Sequence, residues 1–277
     1  KNRPQGRPVG QKNGNGASAV GKDAAQPQVR IIEHADIKRM LLAQKSYSEG
    51  ALALALYCAR LVDEQHTGDA AQADEARLLL EVLTPVAKSW PSEFCLEANS
   101  LAIQVHGGYG YTRDFPVEQY WRDNRLNMIH EGTHGIQAAD LLGRKVLMDQ
   151  GRGMALLGER MAQTMARAGA QWAQEAAQLG AAWQQIEEAT REAWATGQPA
   201  QALANAVPYM QAFGHVVMAW IWLDLARQTG TDPRPVGQGR RTACRYFFRY
   251  ELPRIGAWLQ VVRQRDMTCA TLAEDAF

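Results

Sequence analysis

The 277-residue chain has a composition that excludes several classes of protein. Lys and Arg number 30 against 29 for Asp and Glu, a formal net charge of +1, so there is no basic field for a nucleic acid. Hydrophobic residues make up 46% of the chain, enough for one large or two modest domains, and no apolar run approaches the roughly 18 residues of a membrane-spanning helix. Four widely spaced cysteines indicate reduced thiols, a cytoplasmic protein and no zinc site.

The first segments combine an irregular stretch with a long helix. Residues 6–27 are rich in Gly, Pro, Asn and Gln without periodicity, which predicts an irregular and partly mobile loop. From Ala35 to about His66, apolar residues recur at helical spacing. The run Thr67-Gly68-Asp69 then predicts the end of this helix.

A second helical stretch extends from about Asp74 to Val105. It contains Pro85 and Pro91, and a proline inside a helix removes a backbone hydrogen bond and clashes with the preceding turn. We therefore expect a break or a kink, with Thr84 and Ser89 as local N-caps. Short helices over residues 116–125 and 133–150 would complete an antiparallel four-helix bundle.

Beyond Gly151 the composition shifts to Ala, Gln and Trp. The spacing predicts an amphipathic helix over residues 154–195 with a break near Gly180, and then a turn at Gly197-Gln198-Pro199. Two further helices, over residues 200–229 and 240–265, should be kinked by the prolines that they contain, Pro208 and Pro253. The sequence thus predicts an all-α fold with two domains, 1–150 and 151–277, each a helical bundle.

A glycine-rich turn lies in the part of the chain whose residues are most typical of a catalytic or ligand-binding site. Residues 104–137 read QVHGGYGYTRDFPVEQYWRDNRLNMIHEGTHGIQ. Gly107, Gly108 and Gly110 allow positive φ or the close approach of a ligand, which an ordinary connection between helices would not need three times in four residues. The weaker alternative is a helix C-cap followed by a tight turn.

Glu131 lies between His130 and Gly132, just before a predicted helix start. A carboxylate beside backbone N–H groups that can bind an oxyanion suits the abstraction of a proton α to a carbonyl. In an unknown helical protein, Glu131 could instead simply stabilise the helix start, and His130 could be a packed core residue. Arg122-Asp123 indicates a structural ion pair rather than a substrate clamp.

The whole run over residues 104–137 resembles the C-terminal signature of the acyl-CoA dehydrogenases, flavoenzymes that remove an α proton and a β hydride from an acyl thioester. Residues 31–50 resemble the first long helix of that family's C-terminal domain. The part beyond residue 150 resembles the domain appended in larger bacterial members, including the 3-methylthiopropanoyl-CoA dehydrogenases. On this resemblance the chain, which begins with Lys1, is expected to be a fragment that lacks the N-terminal helical and middle β-domains.

The resemblance also implies a role for individual residues. Glu131 would be the catalytic base, with His130 and Gly132 beside it against the acyl-CoA substrate. FAD, bound across a homodimer interface, would be contacted by Arg3, Gln104, Gly107, Gly108, Thr133 and Gly135. Electrons would pass to an electron-transfer flavoprotein, as in fatty acid metabolism. Two alternatives stay open: an acyl-CoA oxidase, which passes electrons to oxygen, and a catalytically idle scaffold.

Overall fold

The described part of the chain, residues 1–7 and 27–276 of a computed structural model, contains helices and one isolated β-bridge between Pro4 and Arg30. Within these residues there is no β-strand, which confirms the all-α prediction. The irregular segment predicted at residues 6–27 falls almost wholly outside the described residues.

Two long helices, α1 (Ala35–Thr67) and α2 (Ala70–His106), form an antiparallel hairpin. Asp69 caps α2 by accepting hydrogen bonds from the backbone N–H groups of Ala71 and Gln72, at 3.0 and 2.9 Å, while the Gln72 side chain accepts one from Asp69 N–H at 3.1 Å. The predicted end of α1 is confirmed. The predicted start of α2 is four residues late, because its first turn has no apolar periodicity.

Of the break or kink predicted in α2, the break is wrong, since the helix runs unbroken through Pro85 and Pro91. The kink stays a prediction. Thr84 and Ser89 lie inside the helix rather than at an N-cap, and the Thr84 hydroxyl donates to the Leu80 carbonyl at 2.6 Å. A proline costs an exposed helix interior about 3 kcal/mol. The packing of α2 outweighs that cost, because this stretch is lined by residues that are fully buried: Val82, Leu83, Val86, Trp90 and Phe94.

The third and fourth predicted helices are present but short. They are α3 (Val117–Asn124) and α4 (His134–Asp140), and α4 continues as a π-helical turn over Leu141–Lys145. The helix predicted over 133–150 is therefore interrupted. Asp149, Gln150 and Gly151, with φ of 48°, 59° and 81°, make a left-handed kink within the next element, α5 (Met148–Ala166).

The second part of the chain contains six further helices within the described residues. They are α6 (Ala173–Ala193), α7 (Pro199–Leu203), α8 (Ala206–Thr229), α9 (Pro235–Tyr246), α10 (Ile255–Gln264) and α11 (Thr268–Thr271). The break predicted near Gly180 is wrong, because α6 passes straight through that residue. The interruption falls instead at Arg167–Gly169, where Gly169 has a φ of 69°.

The two prolines of this part behave differently. Pro208 lies in the first turn of α8, where its missing N–H would have had no helical partner, and the helix continues past it without interruption. The kink expected there stays a prediction. Pro253 lies in a 3-10 turn, Leu252–Arg254, that separates a π-helical turn over Phe247–Glu251 from α10. The helix predicted over residues 240–265 is therefore interrupted at Pro253, where we expected a kink.

Helix α8 is apolar on all faces and lies at the centre of the molecule. Gly50 of α1 allows it to approach, since a Cβ at Gly50 would stand 2.6 Å from Met218 Cε. The Trp222 indole donates to the Ser46 carbonyl at 3.0 Å. One hydrophobic cluster accordingly includes residues from Ala43 in the first part to Val262 in the second.

A buried polar cluster, which we call the Glu251 cluster, joins the two parts of the chain. Tyr47 of α1 donates to Glu251 Oε2 at 2.8 Å, Tyr246 donates to Oε1 at 3.0 Å, and Arg254 donates to Oε2 at 2.9 Å. Burial opposes the charge of Glu251, but His215 nearby and these hydrogen bonds outweigh it and hold the pKa of this carboxyl at about 2. The ionised carboxylate of Glu251 thus links Tyr47 of the first part to Tyr246 and Arg254 of the second.

No helix within residues 1–7 and 27–276 is both long and apolar enough to cross a membrane.

Candidate functional site

The glycine turn begins where α2 ends. Gly107 is the C-cap of α2, with φ 64° and ψ −146°, a conformation that a side chain disfavours. Gly110 is required for a different reason, because a Cβ there would stand 2.6 Å from the Ile103 carbonyl oxygen. At Gly108 a Cβ would have no atom within 4 Å, so this position opens to the surface.

Arg3 lies against this turn although it is about a hundred residues away in sequence. Its Nη1 donates to the His106 carbonyl at 3.0 Å, and its guanidinium carbon lies 5.9 Å from the centre of the Tyr109 ring. The Arg3 carbonyl accepts a hydrogen bond from Ile31 N–H at 2.9 Å, which anchors the segment. A cavity of about 300 Å³ is lined by residues that include Arg3, Gln104 and Gly107.

The candidate base lies on a loop whose backbone adopts the left-handed region twice in succession. The φ angles of Glu131 and Gly132 are 56° and 95°. A residue with a Cβ in this conformation costs roughly 1–2 kcal/mol. Two side chains hold the loop from outside it: Gln137 Nε2 donates to the Glu131 carbonyl at 2.9 Å, and Lys88 Nζ donates to the Gly132 carbonyl.

The Glu131 side chain projects outward, with 77% of its surface exposed. It borders a cavity of about 360 Å³, which we call the base cavity and which is lined by Lys88, Pro91, Ser92, Cys95, Asn124, Asn127, His130 and Glu131. His130 is 63% exposed and its Nε2 lies 3.7 Å from Glu131 Oε1. The interpretation of His130 as a packed core residue is therefore wrong, because its ring faces solvent beside the carboxylate.

The residues after Glu131 begin α4. Thr133 is the N-cap, with an extended backbone and no hydrogen bond from its side chain to the helix end. Gly135 is exposed, and the nearest atom to a Cβ there would be Thr133 Oγ1 at 4.0 Å. Both ring nitrogens of His134 are buried without a hydrogen-bond partner, and burial, with Lys88 and Arg125 nearby, lowers the pKa of this histidine.

The ion pair predicted between Arg122 and Asp123 does not form. Arg122 Nη1 instead donates to Glu118 Oε2 at 3.2 Å, one helical turn earlier in α3. Adjacent residues on a helix point in different directions, whereas residues four apart share a face. The loop after α3 is held by another contact, in which Asn124 Nδ2 donates to Asn99 Oδ1 of α2 at 2.8 Å.

The predicted site residues thus fall into two groups along α2. Gln104 and Gly107 lie at its C-terminal end with Arg3, whereas the base cavity is lined by α2 residues such as Ser92. A separation of twelve residues corresponds to about 18 Å of helix. Sequence reasoning missed Lys88; the signal that could have found it is the spacing of Lys88, Ser92 and Cys95, which places polar residues on one face of an otherwise buried helix.

Exposed apolar side chains are concentrated in residues 109–136, the part of the chain that carries the glycine turn and the base loop. These aromatic and aliphatic side chains come from the glycine turn, α3, the loop after α3 and the start of α4; we call this set the apolar face, and it comprises Tyr109, Tyr111, Phe115, Tyr120, Trp121, Leu126, Ile129 and Ile136. Exposed apolar surfaces of this kind are typical of sites that contact another protein or a ligand. Among the described residues, no group of three or more His, Cys, Asp or Glu side chains is arranged to hold a metal ion.

Two family models match the chain. One, described as "Acyl-CoA dehydrogenase, C-terminal domain", matches residues 17–147. The other, described as "Acetyl-CoA dehydrogenase C-terminal like", matches residues 157–273.

Similar curated proteins include the 3-methylmercaptopropionyl-CoA dehydrogenase of Ruegeria pomeroyi, 36% identical over 71% of this chain and 34% of that protein. The broad-specificity linear acyl-CoA dehydrogenase FadE5 of Mycobacterium tuberculosis is 28% identical over 92% of this chain and 45% of that protein. A crystal structure of an acyl-CoA dehydrogenase complexed with FAD from Bacillus anthracis superimposes with a TM-score of 0.65 at 16% identity, covering 92% of this chain and 45% of that one. The chain therefore spans less than half the length of these relatives.

Proposed function

The chain belongs to the acyl-CoA dehydrogenase family, and from this premise we propose that it is the C-terminal part of an FAD-dependent enzyme that forms a trans-2,3 double bond in an acyl-CoA thioester. The observation that carries the proposal is the presentation of Glu131. Its carboxylate projects into solvent from a loop held in the left-handed conformation, at the mouth of the base cavity.

In the proposed reaction, Glu131 takes the α proton of the thioester, and its own backbone N–H donates to the thioester oxygen as negative charge develops there. The bound FAD supplies the acceptor for the β hydride. A thioester α proton is far too weak an acid for a carboxylate in water, so water must be excluded from around Glu131. Because this side chain is exposed here, we propose that substrate and the remaining domains of the protein cover it.

The residues at the glycine turn fit the adenosine and pyrophosphate end of FAD. Arg3 supplies a guanidinium with five N–H donors, of which its bonds to His106 and Gln5 use two. Gly107 and Gly108 leave the backbone open to a ligand on the same side. Thr133 and Gly135 are exposed near the base loop, where we propose that they contact the flavin end.

We further propose the assembly around this chain. Residues 1–150 and 151–277 act as two sequence domains, the first carrying the base and the second completing its core. The protein is a cytoplasmic homodimer in which the Gln104 turn serves the flavin of the neighbouring subunit, and an electron-transfer flavoprotein reoxidises it. The apolar face around the turn supports such an interface.

The substitution Glu131→Gln in the complete protein tests the proposed function. It keeps the size of the side chain but removes the base, so acyl-CoA should still bind and perturb the flavin spectrum. Flavin reduction, followed by stopped-flow absorbance at saturating acyl-CoA, should slow by orders of magnitude.

The matched control is Glu118→Gln, which removes the ion pair to Arg122 within α3 and should leave reduction within about twofold of the wild-type rate. A Glu131→Gln protein that reduces its flavin within about tenfold of the wild-type rate would show that the base lies elsewhere.

A further inference from the structure

Lys88 connects helix α2 to the base loop. It lies on the α2 face that lines the base cavity, and its Nζ donates to the carbonyl of Gly132, the residue immediately after Glu131. The two residues are 44 positions apart in sequence. This hydrogen bond therefore fixes the loop to the long helix rather than to its own neighbours.

The loop depends on such external contacts because its own backbone is unfavourable. Glu131 has a side chain in the left-handed region, which is stable only where surrounding groups hold it. The N-cap side chain Thr133 makes no hydrogen bond to the end of α4. Among the described residues, the side chains that bond the two loop carbonyls are Gln137 on Glu131 and Lys88 on Gly132.

Lys88 is a partly buried cation close to the Glu131 carboxylate. The side chain is half-buried, and burial lowers the pKa of its ammonium while the Glu131 carboxylate opposes that effect. The positive charges of Lys88 and Arg125 both act on His134, whose ring nitrogens have no hydrogen-bond partner. Lys88 is thus a cation that faces the candidate base at the inner side of the loop.

We propose that Lys88 is a positioning residue for the base: its ammonium holds the Gly132 carbonyl and so keeps Glu131 and Gly132 in the conformation that presents the carboxylate to substrate. This inference rests on the function proposed for Glu131. It assigns no contact between Lys88 and the reacting atoms. Lys88 acts through the backbone of the loop.

The test uses the complete flavoprotein with Lys88→Met, which keeps the aliphatic stem, and Lys88→Arg, which keeps the charge and the donor. Hydrogen exchange followed by mass spectrometry should show amides of residues 129–136 exchanging about tenfold faster in Lys88→Met, the effect of losing one charge-assisted hydrogen bond. Flavin reduction at saturating acyl-CoA should fall about 10- to 100-fold. The acyl-CoA concentration for half-maximal rate should change less than about threefold, and Lys88→Arg should recover most of both effects.

Arg125→Met is the matched control, since it removes a nearby positive charge that forms no hydrogen bond to the loop carbonyls described above. Unchanged exchange in Lys88→Met overturns the proposal, and so does faster exchange with reduction within about threefold of the wild-type rate. Glu131→Gln in parallel separates two failures: rapid reduction in that variant removes the base assignment, whereas slow reduction there with normal reduction in Lys88→Met removes only the role of Lys88. Where Lys88→Met does not fold, Lys88→Gln replaces it under the same criteria.

Discussion

At the scale of single residues, a negative charge is buried where the two parts of the chain meet. Glu251 is surrounded by the hydroxyls of Tyr47 and Tyr246, by Arg254 and by the ring of His215. The Trp90 indole, which can only donate, bonds His215 Nδ1 at 3.0 Å. The proton of the neutral ring is therefore on Nε2, which lies 3.9 Å from Glu251 Oε2, too far for a hydrogen bond.

Glu251 and His215 both make the folded protein less stable as the pH falls. The pKa of Glu251 in the folded state, about 2, lies below the ordinary value of 4.5, so its stabilisation is present above pH 4.5 and is lost as the pH falls towards 2. Burial lowers the pKa of His215 from 6.5, so the unfolded chain binds that proton first. Its stabilising contribution is present above pH 6.5 and is lost below it.

We predict that Glu251→Gln lowers the free energy of unfolding at pH 7 by about 3 kcal/mol, because Arg254 is left without its buried carboxylate. The difference from the wild type should narrow as the pH falls from 4.5 to 3, because the unfolded wild-type chain then binds a proton at Glu251 while the folded state, with a pKa of about 2, does not. Urea unfolding at several pH values measures both effects. Glu188→Gln, which removes an exposed ion pair to Arg263, should cost less than about 1 kcal/mol throughout. A difference that stays constant from pH 7 to pH 3 would contradict an ionised Glu251.

Single residues also show how far the site could be predicted. The run over residues 104–137 pointed to Glu131, and the structure places it on an exposed loop beside a cavity. The spacing of Lys88, Ser92 and Cys95 marks a polar face of α2, but the contact of Lys88 with the base loop could not be predicted, because no local pattern relates residue 88 to residue 132. The proximity of Arg3 to the turn rested on family resemblance, since no spacing rule brings together residues about a hundred positions apart.

At the scale of elements, local rules predicted where helices exist better than where they end. The pattern of apolar residues located α1, α2 and the amphipathic stretch that contains α5 and α6, because each of these helices buries an apolar face, whereas α8 is apolar on all faces. The breaks predicted at Pro85, Pro91 and Gly180 failed for a shared reason: propensity is a local preference, and tertiary packing overrides it by several kcal/mol. The left-handed kink at residues 149–151 could not be predicted: Asp149 and Gly151 tolerate that conformation, but Gln150 between them does not favour it.

Close packing between α1 and α8 gives a prediction at this scale. Gly50→Ala should destabilise the protein by about 1–3 kcal/mol, because the added Cβ would meet Met218 Cε at 2.6 Å and Trp222 Nε1 at 2.8 Å. Gly256→Ala in α10 is the matched control. A Cβ there has no neighbour within 4 Å, so the higher helix propensity of Ala should stabilise by about 0.5 kcal/mol. The melting temperature should fall in Gly50→Ala and rise in Gly256→Ala. Equal shifts in the two variants would mean that helix propensity alone determines the change in stability.

At the scale of the whole molecule, the all-α class could be predicted because helical periodicity covers most of the chain. The division of residues 1–150 from 151–277 stays a prediction, although the two family models meet near that point. What the sequence could not indicate is that both parts share one core. Contacts such as Trp90 with His215 join residues 125 positions apart, and no short pattern records them.

The apolar face leads to a prediction about association. We expect the complete protein to be at least a dimer, and we expect Tyr111→Arg or Leu126→Arg to shift it towards the monomer, because an arginine in an apolar interface loses its hydration. Sedimentation velocity measures the shift, and the flavin content of the same samples should fall if the Gln104 turn serves a neighbouring subunit. Leu272→Arg, at an exposed leucine near the C-terminal end, should change neither quantity. Dimers that persist in both face variants would place the interface elsewhere.

The central position of α8 has a consequence for the order of events during synthesis. The ribosome releases α1 and α2 well before α8, yet Ser46, Gly50 and Trp90 of those early helices find their partners on α8. Domains generally fold from the N-terminal side as they emerge, and apolar surface that waits for a late partner is open to aggregation. The nascent hairpin must therefore remain incompletely packed until roughly residue 229 has left the exit tunnel. During that interval the nascent chain exposes the most apolar surface for a chaperone to bind.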